Sequence, residues 1–155
     1  MGARAMELAC PGHRFLGVAE LRGHRLAFTR RSLRTGTGVA DIIAAPGESV
    51  WGALYALHDV HVAAIDEKEG NGWAYERRAV RVIVAGAREL GEAGGPCEAG
   101  DSGGELEAFA YAVIARDGEH VAPSHEYLQA LLDGARERGL PEDYVAALGA
   151  VASTG

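Results

Sequence analysis

Three carboxylates, Asp66, Glu67 and Glu69, fall within four positions and run directly into Gly70 and Gly72, with Trp73 and Tyr75 just beyond. Glycine permits positive φ, so the backbone can turn sharply there and aim one carboxylate into a cavity while its neighbours stay in water. Glu69, beside Gly70, is the residue that such a turn would single out. Walled by Trp73 and Tyr75, a carboxylate loses hydration, its pKa rises, and it becomes a usable acid or base near neutral pH. Asp66 is placed to cap or brace the same turn. The same residues also suit a solvated acidic helix end, and spacing alone does not choose between the two.

The other reactive residues form weaker patterns. His58 and His61 are three apart and share a helix face, but a zinc site needs a third ligand such as Asp59 or Glu67, and the pair equally caps a helix. His125 lies two residues before Tyr127, either near a ligand or simply in a first helical turn. Arg22, Arg25, Arg30, Arg31 and Arg34 make the one basic run. It reads as a solvated strand edge, or as a pocket rim from which one arginine meets a substrate carboxylate. The stretch TGTG at 35–38 lacks both GxGxxG and the P-loop lysine. Cys10 and Cys97 make neither a disulfide framework nor a zinc quartet, and no histidine is placed to activate either thiol.

The elements that must position these residues are short. Strands are expected at 14–20, 24–29, 40–45, 49–56, 75–85 and 106–115, with a bend at LRG and a turn at Pro46-Gly47. A first helix is expected over 59–66, with Val60, Ala63 and Ala64 as its apolar face. A second starts after Ser124, a good N-cap, carries Leu128, Leu131, Leu132 and Ala135 as its stripe, and stops at Gly139. A third begins at Pro141, with Glu142 and Asp143 in its first turn and Tyr144, Val145 and Leu148 facing inward. The Gly-rich segment 86–104 reads as a mobile loop and the tail after 150 as flexible. Helices gathered late and several strands without βαβ alternation predict an α+β fold, a small mixed β-barrel with helices packed outside.

Composition sets the outer bounds. A chain of 155 residues with 48% hydrophobic and 24% charged residues makes one domain with a real core. A net charge of -7 argues against a general phosphate-backbone binder, so nucleic acid is not an expected partner. No apolar run is long enough to span a bilayer and no signal peptide is visible, which points to a cytoplasmic protein without membrane attachment.

Five segments appear in a telling order: VWGALYAL (50–57), IDEKEG (65–70), YERR (75–78), PSHEY (123–127) and GARERGLPEDY (134–144). Together they resemble the gamma-glutamylcyclotransferase-like family, including its AIG2-like and butirosin-biosynthesis-type members. That family shows a VWG strand, an LDxxEG turn, a following tyrosine, a PSxxY segment and a GAxExGLPxxY end. The early strands, CPGHRFLGVAELRGHRLAFT (10–29), fit as well, so the resemblance spans 1–149. It implies intramolecular cleavage of a gamma-glutamyl amide to 5-oxoproline and a free amine or amino acid, without metal or cofactor. By the resemblance the catalytic glutamate is Glu69, with Gly70, Tyr75 and Tyr127 as substrate-binding residues. The implied partner is a small-molecule gamma-glutamyl substrate, and the protein would be a monomer or homodimer.

The family opens with a strand ending in a YGSN loop that cradles the gamma-glutamyl group, and this sequence has no such motif. Met1 aligns just after it, from which the natural protein is expected to begin upstream. The other reading is a noncatalytic small-molecule or protein binding module on the same fold.

Overall fold

The computed structural model describes residues 3–85 and 104–154. The expected mobile loop at 86–104 and Cys97 therefore lie, but for Gly104, outside the described residues. The elements run α1 (Ala3–Ala9), β1 (Arg14–Arg31), β2 (Gly38–Ala56), α2 (Asp59–Glu69), β3 (Tyr75–Val84), β4 (Glu105–Val113), α3 (His125–Glu137) and α4 (Glu142–Gly149).

The α+β class holds, but the expected mixed barrel does not form. The four strands make one open sheet in the order β2-β1-β3-β4, and each strand pair is antiparallel. The first four of the six expected short strands fuse in pairs. Gly23 (φ 72) and Gly47 (φ 88) bend the chain at positive φ without ending a strand. Arg22 pairs with Ser49 and His24 with Ala44, so the Pro46-Gly47 signal is spent on a bulge inside a long hairpin. Closure would need every edge to pair. β1 and β3 join only at Ala19–Val84 and Glu20–Ile83 before diverging, and no ladder joins β2 to β4. A side-chain bond takes the ladder's place: the Val113 N–H donates to Asp41 at 2.9 Å.

Three apolar clusters hold these parts together. Phe28 of β1 packs with Leu128, Leu132, Ala135 and Leu148 of α3 and α4. Ala19, Leu21, Val82 and Val84 fill the β1–β3 contact. Met6, Cys10 and Ile65 join α1 to α2. The stripe expected on α3 is the one buried, with Leu131 partly so. On α2 the expected face is wrong: Val60 is 76% exposed, Ala63 and Ala64 are exposed, and Ile65 is the buried residue. α2 also runs three residues further than expected, because nothing before Gly70 ends it. Composition predicts a frayed tail, yet the Thr154 N–H donates to Pro123 at 2.9 Å and its carbonyl accepts from His125 at 2.9 Å. Among the described residues no helix is long and apolar enough to cross a membrane.

Candidate active site

Glu69 is the last residue of α2, and the helix ends there for a local reason. Gly70 adopts φ 68, ψ 47, the left-handed conformation that lets its N–H reach back to the Asp66 and Glu67 carbonyls. The Asn71 N–H closes the motif on the Asp66 carbonyl at 2.8 Å. A Cβ at position 70 would lie 2.6 Å from the Trp73 ring, so glycine is demanded twice, by φ and by space. The Gly70 carbonyl then accepts from Trp73, Ala74 and Tyr75 at 3.1, 2.9 and 3.3 Å, and the Gly72 N–H donates to the Tyr75 carbonyl at 2.8 Å. The end of α2 is thereby tied to the first residue of β3, which fixes Glu69 relative to Tyr75. Gly70, expected among the substrate contacts, has both backbone groups engaged within this turn.

Tyr127 is positioned by a second local motif. Ser124 is the N-cap of α3, as expected, and its Oγ accepts from the Tyr127 N–H at 3.2 Å. The two-residue gap in PSHEY is thus the spacing of a helix cap, and it sets the tyrosine in the first turn. Its ring stands edge-on to Phe28 at 6.4 Å.

The two tyrosines meet at one residue of β2. The Tyr75 hydroxyl donates to the Ala40 carbonyl at 3.2 Å, and the Tyr127 hydroxyl accepts from the Ala40 N–H at 3.3 Å. Burial is the main cause raising the Tyr75 pKa, and the charges of Tyr127, Glu69 and Asp41 add to it while Arg30 opposes. Burial likewise raises Tyr127, opposed by its Ala40 bond and reinforced by Glu69. Both phenols are therefore neutral hydroxyls within the field of the Glu69 carboxylate. Glu69 itself is 28% exposed, with Lys68 Nζ 3.7 Å from its Oε1. Trp73 is 62% exposed, so the aromatic wall expected around Glu69 stands open to solvent on that side.

Asp66, expected to brace the turn, does so. It accepts from the Tyr111 hydroxyl at 2.6 Å and pairs with Arg77 at 3.0 Å. Burial, followed by this bond, raises the Tyr111 pKa. Of the basic run, Arg30 is the member brought to the site, its guanidinium 5.9 Å from the Trp73 ring. His125 is exposed at the start of α3, and His58 and His61 stack edge-on at 5.8 Å. Among the described residues no three His, Cys, Asp or Glu gather as a metal site.

Two residues of the constellation escape sequence reasoning, Asp41 and Tyr111. Asp41 did leave a signal: it is the one charged residue in the apolar strand segment ADIIAA, and a buried charge needs partners. Neither of two clefts elsewhere contains the site. A groove of about 500 Å3 opens where β1 and β3 diverge, lined by Leu21, Arg22, Val80, Arg81 and Arg116 among others. Three of its arginines, Arg22, Arg78 and Arg116, already hold Glu20, Glu76 and Asp41. A smaller cleft of about 130 Å3 lies between Trp51 of β2 and Leu131 and Tyr144 of the helices. Neither is lined by Glu69, Tyr75 or Tyr127, so the paired tyrosines and the helix-end glutamate mark the site, rather than concavity.

Gamma-glutamylcyclotransferase of Mus musculus is 27% identical over 150 residues, covering 94% of this chain and 71% of the relative. The Homo sapiens gamma-glutamylcyclotransferase is 27% identical over 151 residues with the same coverage. Among solved structures, a gamma-glutamyl cyclotransferase superposes with a TM-score of 0.82 at 24% identity, over 99% of this chain and 83% of that one. An uncharacterized human protein superposes with a TM-score of 0.79 at 25% identity, over 96% of this chain and 80% of that one. The family model for the AIG2-like family matches residues 49–148, a span that holds the Glu69 turn, Tyr75, the Ser124 cap and Tyr127. That span is well over half of the sequence, so the chain belongs to the AIG2-like family, and gamma-glutamylcyclotransferases are among the proteins it is similar to.

Proposed function

We propose that this protein is a gamma-glutamyl cyclotransferase, cleaving a gamma-glutamyl amide into 5-oxoproline and a free amine or amino acid. The observation that carries the reading is the placement of Glu69 at a glycine-capped helix end, in the shared field of two neutral tyrosine hydroxyls. The similarity to gamma-glutamylcyclotransferases supports it.

A gamma-glutamyl unit carries its own nucleophile, the α-amine, on the same chain as the γ-carbonyl. At neutral pH that amine is protonated and inert. Glu69 takes the proton from the ammonium. The freed nitrogen attacks the γ-carbon and closes a five-membered ring, with the carbonyl electrons moving to oxygen. The ring nitrogen, still carrying two hydrogens and a positive charge, loses a second proton. The tetrahedral centre collapses, the bond to the departing amine breaks, Glu69 returns the first proton to it, and with the second it leaves as an ammonium ion. Atoms and protons balance with no water consumed. Holding the two reacting groups of one molecule together supplies roughly 7–11 kcal/mol relative to a bimolecular reaction. What remains for the protein is to fold the substrate and to donate toward the oxyanion. Tyr127, whose hydroxyl accepts from the Ala40 N–H and keeps its own proton free, is the neutral hydroxyl for that contact, while Tyr75, whose proton is held by the Ala40 carbonyl, lines the substrate's place beside it. Gly70 serves by stopping α2 at Glu69, and Arg30 is the cation suited to the substrate's α-carboxylate.

The test is incubation with a panel of gamma-glutamyl dipeptides and gamma-glutamyl amines, read as 5-oxoproline. Stoichiometric 5-oxoproline and amine are expected from at least one member. No product from folded protein across the panel overturns the reading.

A further inference from the structure

Asp41 is a carboxylate with 1% exposure, and three segments of the chain converge on it. Thr29 of β1, itself 1% exposed, donates its hydroxyl at 2.8 Å. The Val113 N–H at the end of β4 donates at 2.9 Å, and Arg116, just after β4, donates its Nε at 2.8 Å. Thr29 and Arg116 share Oδ2 while Val113 holds Oδ1, so both oxygens are fixed in orientation. Burying a carboxylate costs several kcal/mol unless it is fully paired, and a sequence meant only to join β1, β2 and β4 could do so with apolar side chains. The carboxylate at this position therefore does more than join strands.

Its neighbour answers. The Ala40 carbonyl belongs to the planar peptide unit that ends at the Asp41 Cα. Clamping Asp41 from three sides fixes that plane, and the Tyr75 hydroxyl bonds to its oxygen. The Ala40 N–H, one peptide earlier, holds the Tyr127 hydroxyl. We propose that Asp41 is the positioning residue of this site: held by Thr29, Val113 and Arg116, it fixes the backbone at Ala40, whose carbonyl and N–H set the two tyrosine hydroxyls beside Glu69. The inference rests on the cyclotransferase reading for its kinetic consequence, though not for its structural one. Asp41's charge also acts directly, disfavouring ionisation of Tyr75 and so keeping its hydroxyl a donor.

The experiment compares Asp41→Asn, Arg116→Gln and Val84→Ala with the wild type. Val84 is buried in the β1–β3 cluster with Ala19, Leu21 and Val82, which includes none of Ala40, Tyr75 and Tyr127, so its truncation weakens the fold away from this network. Tyrosines labelled with 13C at Cζ, assigned through Tyr75→Phe and Tyr127→Phe, report the two hydroxyl environments by NMR. Asp41→Asn is expected to shift both resonances and to raise KM roughly ten-fold, the worth of about one hydrogen bond, with kcat within about threefold. Val84→Ala is expected to lower the melting temperature and leave both resonances and KM unchanged. Should Asp41→Asn fail to fold, Arg116→Gln decides, because Arg116 is 46% exposed and its loss removes one donor of three. It is expected to move the same resonances in the same direction by a smaller amount. Unmoved Tyr75 and Tyr127 resonances in the folded variant, or a KM equal to that of Val84→Ala, overturn the role of Asp41. Absence of 5-oxoproline from the wild type overturns the cyclotransferase reading instead, and the NMR comparison still decides on Asp41.

Discussion

Asp66 and Glu69 sit three residues apart at the end of one helix, yet the protein treats them oppositely. Asp66 accepts from Tyr111 at 2.6 Å and pairs with Arg77 at 3.0 Å, so its oxygens are spent on joining α2 to β4 and β3. Among the described residues Glu69 has only the ammonium of its neighbour Lys68 at 3.7 Å in the way of an ion pair, and two tyrosine hydroxyls within its field. One carboxylate is consumed by architecture and the other is kept available. The lesson is that acidic residues in a cluster must be sorted by what already holds them, since only a group with unspent lone pairs can accept a substrate's proton.

The sharpest way to break this contrast is to remove the residue that creates it. Gly70→Ala forces a side chain into the left-handed region and against the Trp73 ring. A cost of about 2 kcal/mol or more is expected, measured by urea denaturation, with loss of activity as Glu69 is displaced from Tyr75. Asp66→Ala removes the brace, and about 1–2 kcal/mol of stability should go with it. The matching Glu69→Ala is expected to change stability by less than about 0.5 kcal/mol, since its ion pair among the described residues is with the exposed neighbour Lys68. Equal destabilisation by the two alanine variants, in parallel melts, would erase the distinction.

A pH series probes the tyrosines that separate the two carboxylates. Tyr75, Tyr111 and Tyr127 all have folded pKa values raised above the ordinary one, chiefly by burial. Raised values mean that the fold favours the protonated phenol. Their contribution is thus fully present below about pH 10, the unfolded value, and is lost as pH climbs through the folded values. The melting temperature is expected to fall above about pH 10, less steeply in Tyr75→Phe, by differential scanning calorimetry. The smallest effect belongs to Glu67→Gln, an exposed member of the same cluster. Turnover and stability within about twofold and 0.5 kcal/mol of wild type are expected.

What was legible in the sequence was local. The Gly70 stop, the Ser124 cap and the spacing from Glu69 to Tyr75 are all settled by hydrogen bonds spanning six residues or fewer. The open sheet was not legible, because closure depends on pairings between distant strands and Gly23 and Gly47 look like turns until the register shows a bulge. Asp41 escaped for the same reason: Val113 and Arg116, its partners, are 72 and 75 positions away. On α2 the apolar periodicity misled, since it is too short to outweigh the contact that buries Ile65 against α1.

The claim that Glu69 carries the proton is tested most directly by Glu69→Gln, with turnover and equilibrium substrate binding measured on the same preparation. Glutamine keeps the shape and can still accept a hydrogen bond, but it cannot take a proton from an ammonium. Turnover should fall by at least the roughly 10²-fold associated with general acid–base groups, while the binding constant stays within about threefold and the melt is unchanged. Turnover near that of the wild type would contradict the role of Glu69 as the obligatory base.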